Sequence, residues 1–205
     1  QIAPLVRAEQ TERYRSKVVL VARSLKGRTI FGGYKRASHH VLDLDGCVIE
    51  ELILARVAQW LRRSLKDVRA FDDRNKRGDL RYVVMRSTKS GEALVTWLGA
   101  KEPRWARGAA KALLAEVPGV RGVFWAENTS DGNAIWGSAA PKLLAGVERI
   151  EDNVSGLRFT VSPRAFFQVH RAQAERLREA IAAAVPERSV VWDLYCGVGV
   201  NALVL

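Results

Sequence analysis

The chain reads as α/β: a basic, mixed α+β region over residues 1–150, then over residues 151–205 the opening of a doubly wound unit. Three observations predict this. Strand-type and helix-type periodicities alternate through the first 150 residues. The stretch from Ser189 to Leu205, SVVWDLYCGVGVNALVL, runs from a β-branched apolar segment through two glycines into a helical one. The charge is also divided. The net charge is +11 and residues 151–205 hold six basic and six acidic side chains, so all of it lies in residues 1–150. A basic segment beside a neutral one suggests nucleic-acid binding in the first and chemistry in the second.

Taken in order, residues 1–16 are polar and extended. Lys17 to Ala22 is a strand, Gly27 turns the chain, and Thr29 to Lys35 is a second strand with a glycine bulge. His39 to Leu44 alternates as a third. Glu50 to Lys66 is an amphipathic helix, with Leu52, Ala55, Val57, Ala58, Leu61 and Leu65 apolar and Arg56, Arg62, Arg63 and Lys66 opposite. Asp72 to Gly78 is a charged loop. Leu80 to Thr88 and Glu92 to Gly99 form a hairpin around Lys89-Ser90-Gly91. Arg81 and Arg86 alternate with apolar residues there, which predicts a shared exposed face, either in contact with phosphate or simply a solvated edge.

Pro103 to Val117 is a helix closed by Pro118-Gly119, and Val120 to Ala126 is a strand. Asn128 to Asn133 is a polar turn with Asn133 as a turn residue. Ala134 to Gly137 and Gly146 to Ile150 are short strands. Trp97, Trp105, Trp125 and Trp136 are scattered and read as core. Leu157 to Val161 is a strand that Ser162-Pro163 breaks, and a helix runs from Arg171 to Ala184. One of Phe166 and Phe167 is expected in the core. Val190 to Trp192 is a short buried strand, and a helix starts at Val200.

Gly197, Gly199 and Ala202 fit G-x-G-x-x-G/A between that strand and that helix. Glycines let the backbone approach a ligand, and a helix N-terminus offers free N–H groups. The pattern alone is compatible with a dinucleotide, with S-adenosylmethionine (SAM), or with packing only. A second stretch narrows it. Ser162 to Gln173, SPRAFFQVHRAQ, is followed by the helical run AQAERLREAIAAAV and then by WDLYCGVGV. Together they closely resemble the RNA (uracil-5-)-methyltransferase family, with its S-P-x-x-F-F-Q-x-N segment, helix and D-L-Y/F-C-G-x-G turn. His170 stands where the family usually has Asn. Tyr14-Arg15-Ser16-Lys17, Gly33 to His39, Leu80 to Arg86 and Asn128 to Gly137 resemble further family segments.

The resemblance implies a Rossmann-like SAM-dependent methyltransferase domain over residues 151–205, with Gln168, Tyr195, Gly197 and Gly199 touching SAM. It implies RNA contact at Lys35, Arg36 and His39, supported by the positive field. Cys47 sits where the ribosomal-RNA branch has the last thiolate of a [4Fe–4S] cluster, with Val48 in place of proline, and the resemblance places the other three cysteines before Gln1. That favours ribosomal over transfer RNA. Against it stands the ordinary use of a lone cysteine as buried filler. In the family a cysteine thiolate adds to uracil C6, C5 attacks the SAM methyl, and a Glu base removes the C5 proton. The nucleophile lies in a later S-C-N segment. Both catalytic residues are therefore expected beyond Leu205, and the chain is expected to be a fragment, starting at Gln1 and stopping within an apolar helix. A non-catalytic RNA-binding module and a nicotinamide oxidoreductase are the other classes the residues allow.

Composition sets the remaining expectations. A chain of 205 residues with 48% hydrophobic content can bury a core. No apolar run is long enough to span a membrane. Two cysteines are too few for a disulfide framework, so a reducing cytoplasm is expected. A monomer is expected as well.

Overall fold

A computed structural model describes residues 4–72, 74–130, 132 and 134–205. Asn133, expected in a turn, lies outside these. The first region is built on a seven-stranded sheet of β1 (Lys17–Leu25), β2 (Arg28–Tyr34), β3 (Val41–Asp43), β4 (Tyr82–Ser87), β5 (Ala93–Gly99), β6 (Val120–Glu127) and β7 (Lys142–Gly146). The strand order is β3-β2-β1-β4-β5-β6-β7. Neighbours are antiparallel except β5 and β6, which are parallel and joined through α2 (Ala106–Glu116). A parallel pair needs such a crossover, whereas antiparallel neighbours can close with a tight turn, as β1–β2 and β4–β5 do.

Helices cover one face of the sheet. Leu20 of β1, Val83 and Met85 of β4, and Trp97 of β5 are completely buried there, among side chains of α1 (Leu52–Ser64) and α2. Helix α1 buries Ile53, Leu54, Val57, Ala58, Trp60 and Leu61. Each of the larger aliphatic ones contributes about 1.5–3 kcal/mol. Leu52, expected on this apolar stripe, is instead exposed, because the buried arc is centred on residues 54, 57 and 61.

The second face carries two smaller clusters. Val21, Tyr82, Val84, Leu98 and Ala126 form one, flanked by Ile135 and Trp136. Leu94, Phe124, Ile150 and Val161 form the other, with Phe167 against it. Ile150 and Val161 belong to the hairpin of β8 (Ile150–Val154) and β9 (Leu157–Val161), so this hairpin docks on the main sheet. Cover on both faces explains why every residue of β4 and β5 is buried, where alternation alone predicts one wet face.

Several expectations need correction. Gly32 makes no bulge: its register is regular, and a Cβ there would sit 1.7 Å from the Leu42 carbonyl oxygen, so glycine permits the close approach of β3. Residues 134–137 form no strand, and the expected strand over 146–150 resolves into the end of β7 and the start of β8. Val190 to Trp192 is neither a strand nor buried; Val190 and Trp192 are 88% and 81% exposed. Strand propensity expresses fit to a half-buried pleated surface, and no described strand lies beside this segment. Helix α3 (Arg171–Ala184) and the start of α4 (Val200–Val204) stand where expected.

Candidate functional site

The candidate site grows out of the segment that joins β9 to α3. Ser162-Pro163 ends the strand, and Ala165 N–H turns back to the Ser162 carbonyl. Phe167 then points inward, edge-to-face on Phe159 at 5.7 Å between centroids. Phe166 points outward and is 61% exposed. One phenylalanine of the pair therefore packs, as expected, and the other is exposed. Beneath Phe167 lies the buried Arg86 guanidinium, 5.4 Å from the ring centroid, which donates to the Ala165 carbonyl. Burial first, and then the nearby Arg171 charge, lower the Arg86 pKa to about 10 against the opposing pull of Asp152. The group stays cationic at neutral pH.

His170 and Arg171 tie this segment to the rest of the chain. The His170 Nε2–H donates to the Gln10 carbonyl at 3.0 Å, which leaves Nδ1 to accept from Gln173 N–H as the N-cap of α3. The ring stacks on Tyr14 at 4.4 Å. Ser16 donates from N–H and hydroxyl to the Val169 carbonyl. Arg171 donates to Glu51, to Asp152 and to the Ser87 carbonyl, so one side chain joins α3 to the N-terminus of α1, to β8 and to β4. Asp152 is buried and also accepts from Lys89 N–H at 2.8 Å.

Between the β8–β9 turn, residues 166–168, α3 and the glycine turn lies a cavity of about 670 Å³, within the usual range for a ligand site. Its lining includes Phe166, Gln168, Arg171, Glu175, Tyr195 and Gly197. Glu175 accepts from Ser155 Oγ at 2.9 Å and pairs with Arg178. The Arg178 hydrogen bond is the largest cause of a Glu175 pKa below the ordinary glutamate value. The cavity therefore contains a carboxylate at neutral pH.

The turn itself is tight. Gly197 and Gly199 have φ of +60° and +77°, values that suit glycine, and Gly199 N–H closes on the Cys196 carbonyl at 2.9 Å. Tyr195, a non-glycine residue, also has φ of +62°, and its ring is wholly exposed. Of the four expected cofactor residues, Gln168, Tyr195 and Gly197 meet at the cavity, while Gly199 stands behind it as the residue before α4. Cavity size, an exposed aromatic ring and a turn with free backbone fit a nucleoside-type ligand such as SAM.

Sequence reading missed Arg171, Glu175 and Arg178. Their spacing carried a signal, since positions i, i+4 and i+7 share one helix face.

The other expected residues lie apart. Lys35, Arg36 and His39 are exposed on the turn between β2 and β3. Arg81 and Arg86 are buried, at 5% and 4% exposure, and do not share a wet face. They are five residues apart, an odd spacing that places them on opposite sides of a strand. Arg81 donates to Asn128 Oδ1 and to the carbonyls of Ser130 and Gly132, anchoring the following loop from below. Cys47 is half-buried before α1, far in sequence from Cys196 at the cavity. A [4Fe–4S] cluster takes four thiolates, and no group of metal-ligating side chains gathers among the described residues. Residues 1–205 by themselves therefore do not make that cluster, to which Cys47 could contribute one thiolate.

No protein-family model matches the chain. By sequence it is 30% identical over 214 residues to a Gloeobacter violaceus protein named as an uncharacterized RNA methyltransferase, covering 100% of this chain and 46% of that protein. It is 32% identical over 198 residues to one of the same name from Geobacter sulfurreducens, covering 94% and 40%. By structure it matches a tRNA (uracil-54, C5)-methyltransferase of Pyrococcus abyssi, crystallised with S-adenosyl-L-homocysteine. The TM-score is 0.73, with 18% identity and coverage of 98% of this chain and 47% of that one. The chain thus spans about half the length of the relatives it matches. Over its whole length this chain is a relative of proteins named as RNA methyltransferases, and it has the fold of the matching half of a tRNA uracil-C5 methyltransferase.

Proposed function

We propose that the whole protein methylates uracil C5 in RNA with SAM, and that residues 1–205 supply an RNA-binding surface and part of the SAM pocket. The observation that carries this reading is the meeting of Gln168, Tyr195 and Gly197 at one cavity, although Gln168 is remote in sequence from the glycine turn. SAM, when bound, supplies an electrophilic methyl group. The relatives' names and the S-adenosyl-L-homocysteine of the structural neighbour support RNA and SAM as ligands.

Within this chain, Gln168 offers an amide to the polar edge of the cofactor, and the Gly197 turn lets the backbone approach it. Phe166 and the Tyr195 ring are exposed apolar faces for its adenine. Arg171 and Asp152 hold the β8–β9 hairpin and α3 at the spacing the cavity needs. We place the attacking thiolate and the general base outside residues 1–205, as the family resemblance implies. Cys196 then belongs to the cofactor turn.

Ribosomal RNA is favoured over transfer RNA on the single ground of Cys47. Bound iron in the anaerobically purified whole protein supports that choice, and iron-free protein removes its ground. The reaction is tested with RNA carrying tritium at uracil C5. SAM-dependent tritium release together with 5-methyluridine in the digest supports the proposal. Methylated RNA that keeps its tritium contradicts it.

A further inference from the structure

We infer that a notch on the β1–β2 face of the sheet holds one unstacked nucleobase of the RNA strand, some nucleotides away from the one that is methylated. The inference rests on the RNA-methyltransferase reading above. The notch measures about 590 Å³. Its floor is apolar, formed by Val19, Val21, Tyr82 and Ile135. Tyr34, 41% exposed, forms a wall, and His39 meets it edge-on at 6.3 Å between centroids. Lys35 and Arg36 form the rim.

Each part suits a base and its phosphate. A flat apolar floor beside an exposed aromatic ring accepts the π-face of any base, and cations at the rim neutralise the backbone. No carboxylate lines the notch, and among the described residues neither Lys35 nor Arg36 forms an ion pair. The rim is preformed. Lys35 N–H donates to the His40 carbonyl at 2.8 Å, Ser38 N–H and hydroxyl return to the Lys35 carbonyl, and Ala37 holds φ of +54° at the corner. A strained corner kept by its own hydrogen bonds costs less to order on binding than a loose loop.

Position favours a distal base over the target base. Lys17 stands opposite Arg86, and Val21 opposite Tyr82, in the β1–β4 ladder. Lys17 is half-buried, and burial lowers its pKa, with the Arg86 charge adding to the effect. Arg86 supports the segment that ends in Gln168. The four steps from Lys17 to Val21 span roughly 14 Å along the strand. A strand of RNA crossing this face therefore runs from the notch towards the cofactor segment.

The test uses the whole protein and three probes: a single-stranded oligouridine, the same length of abasic ribose-phosphate, and SAM. Tyr34→Ala is expected to weaken oligouridine binding about tenfold, the size of one lost base–aromatic stack. Abasic and SAM binding stay as in wild type, and Tyr34→Phe restores oligouridine binding. The double variant Lys35→Ala/Arg36→Ala is expected to reduce the slope of log K against log salt by about 1.4, from two lost phosphate contacts. Equal oligouridine affinity in wild type and Tyr34→Ala, with SAM binding intact in both, overturns the notch and leaves the methyltransferase reading standing. A wild-type protein that binds neither RNA nor SAM overturns both.

Discussion

His170 shows how one side chain decides local geometry. Its Nε2–H is committed to the Gln10 carbonyl, so Nδ1 caps α3 only in the neutral ring. His170→Ala is expected to destabilise the fold by about 0.5–2 kcal/mol, the usual cost of a lost N-cap. His170→Asn is expected to recover most of it, because Asn caps well. Urea unfolding of the three proteins measures this, and an equal loss in both variants removes the capping role. Cys196 is the residue most easily mistaken for a nucleophile. It lines the cavity and is exposed. Cys196→Ala in the whole protein is nevertheless expected to keep the covalent adduct with 5-fluorouracil RNA, with weaker SAM binding at most. An adduct that maps to Cys196 by mass spectrometry sinks that assignment.

At the level of elements, α3 and the glycine turn are legible in the sequence, whereas the strand expected before the turn does not form. Arg171 to Ala184 announced itself through its position after Ser162-Pro163 and its unbroken run of helix formers. The turn was legible because glycine alone tolerates the required φ freely. Val190 to Trp192 has the composition of a strand, yet pairing depends on neighbours that no local pattern encodes. Arg81 and Arg86 depart from expectation for the same reason: an arginine between apolar strand residues suggests a wet face, while the tertiary fold buries both and gives each guanidinium a carbonyl partner. The contact between α3 and the β8–β9 turn carries its own prediction. Glu175 has a lowered folded-state pKa, so its contribution is present above the unfolded glutamate value and is lost as pH falls through the folded one. Its carboxyl resonance is expected to titrate below the ordinary glutamate midpoint. An ordinary midpoint argues against the Arg178 and Ser155 bonds. The effect on stability is small because the group is largely open to solvent.

At the scale of the whole molecule, one sheet separates two tasks. Its helix-covered face is core, and the other face carries the basic notch at one end and the cofactor segment at the other. The charge division was visible in the sequence, and RNA binding by the whole protein is expected to fall steeply between low and moderate salt as counterions are released. Filter binding with no salt dependence contradicts that. The convergence of Gln168 with Tyr195 and Gly197 was not visible from spacing, since it depends on α3 folding back across the β8–β9 hairpin. The central claim is that this convergence is the SAM site. Calorimetric titration of SAM into the whole protein and into Gln168→Ala tests it most directly. The account predicts affinity about tenfold weaker in the variant, the loss of roughly one net hydrogen bond, with RNA affinity unchanged. Equal SAM affinity in the two proteins contradicts it.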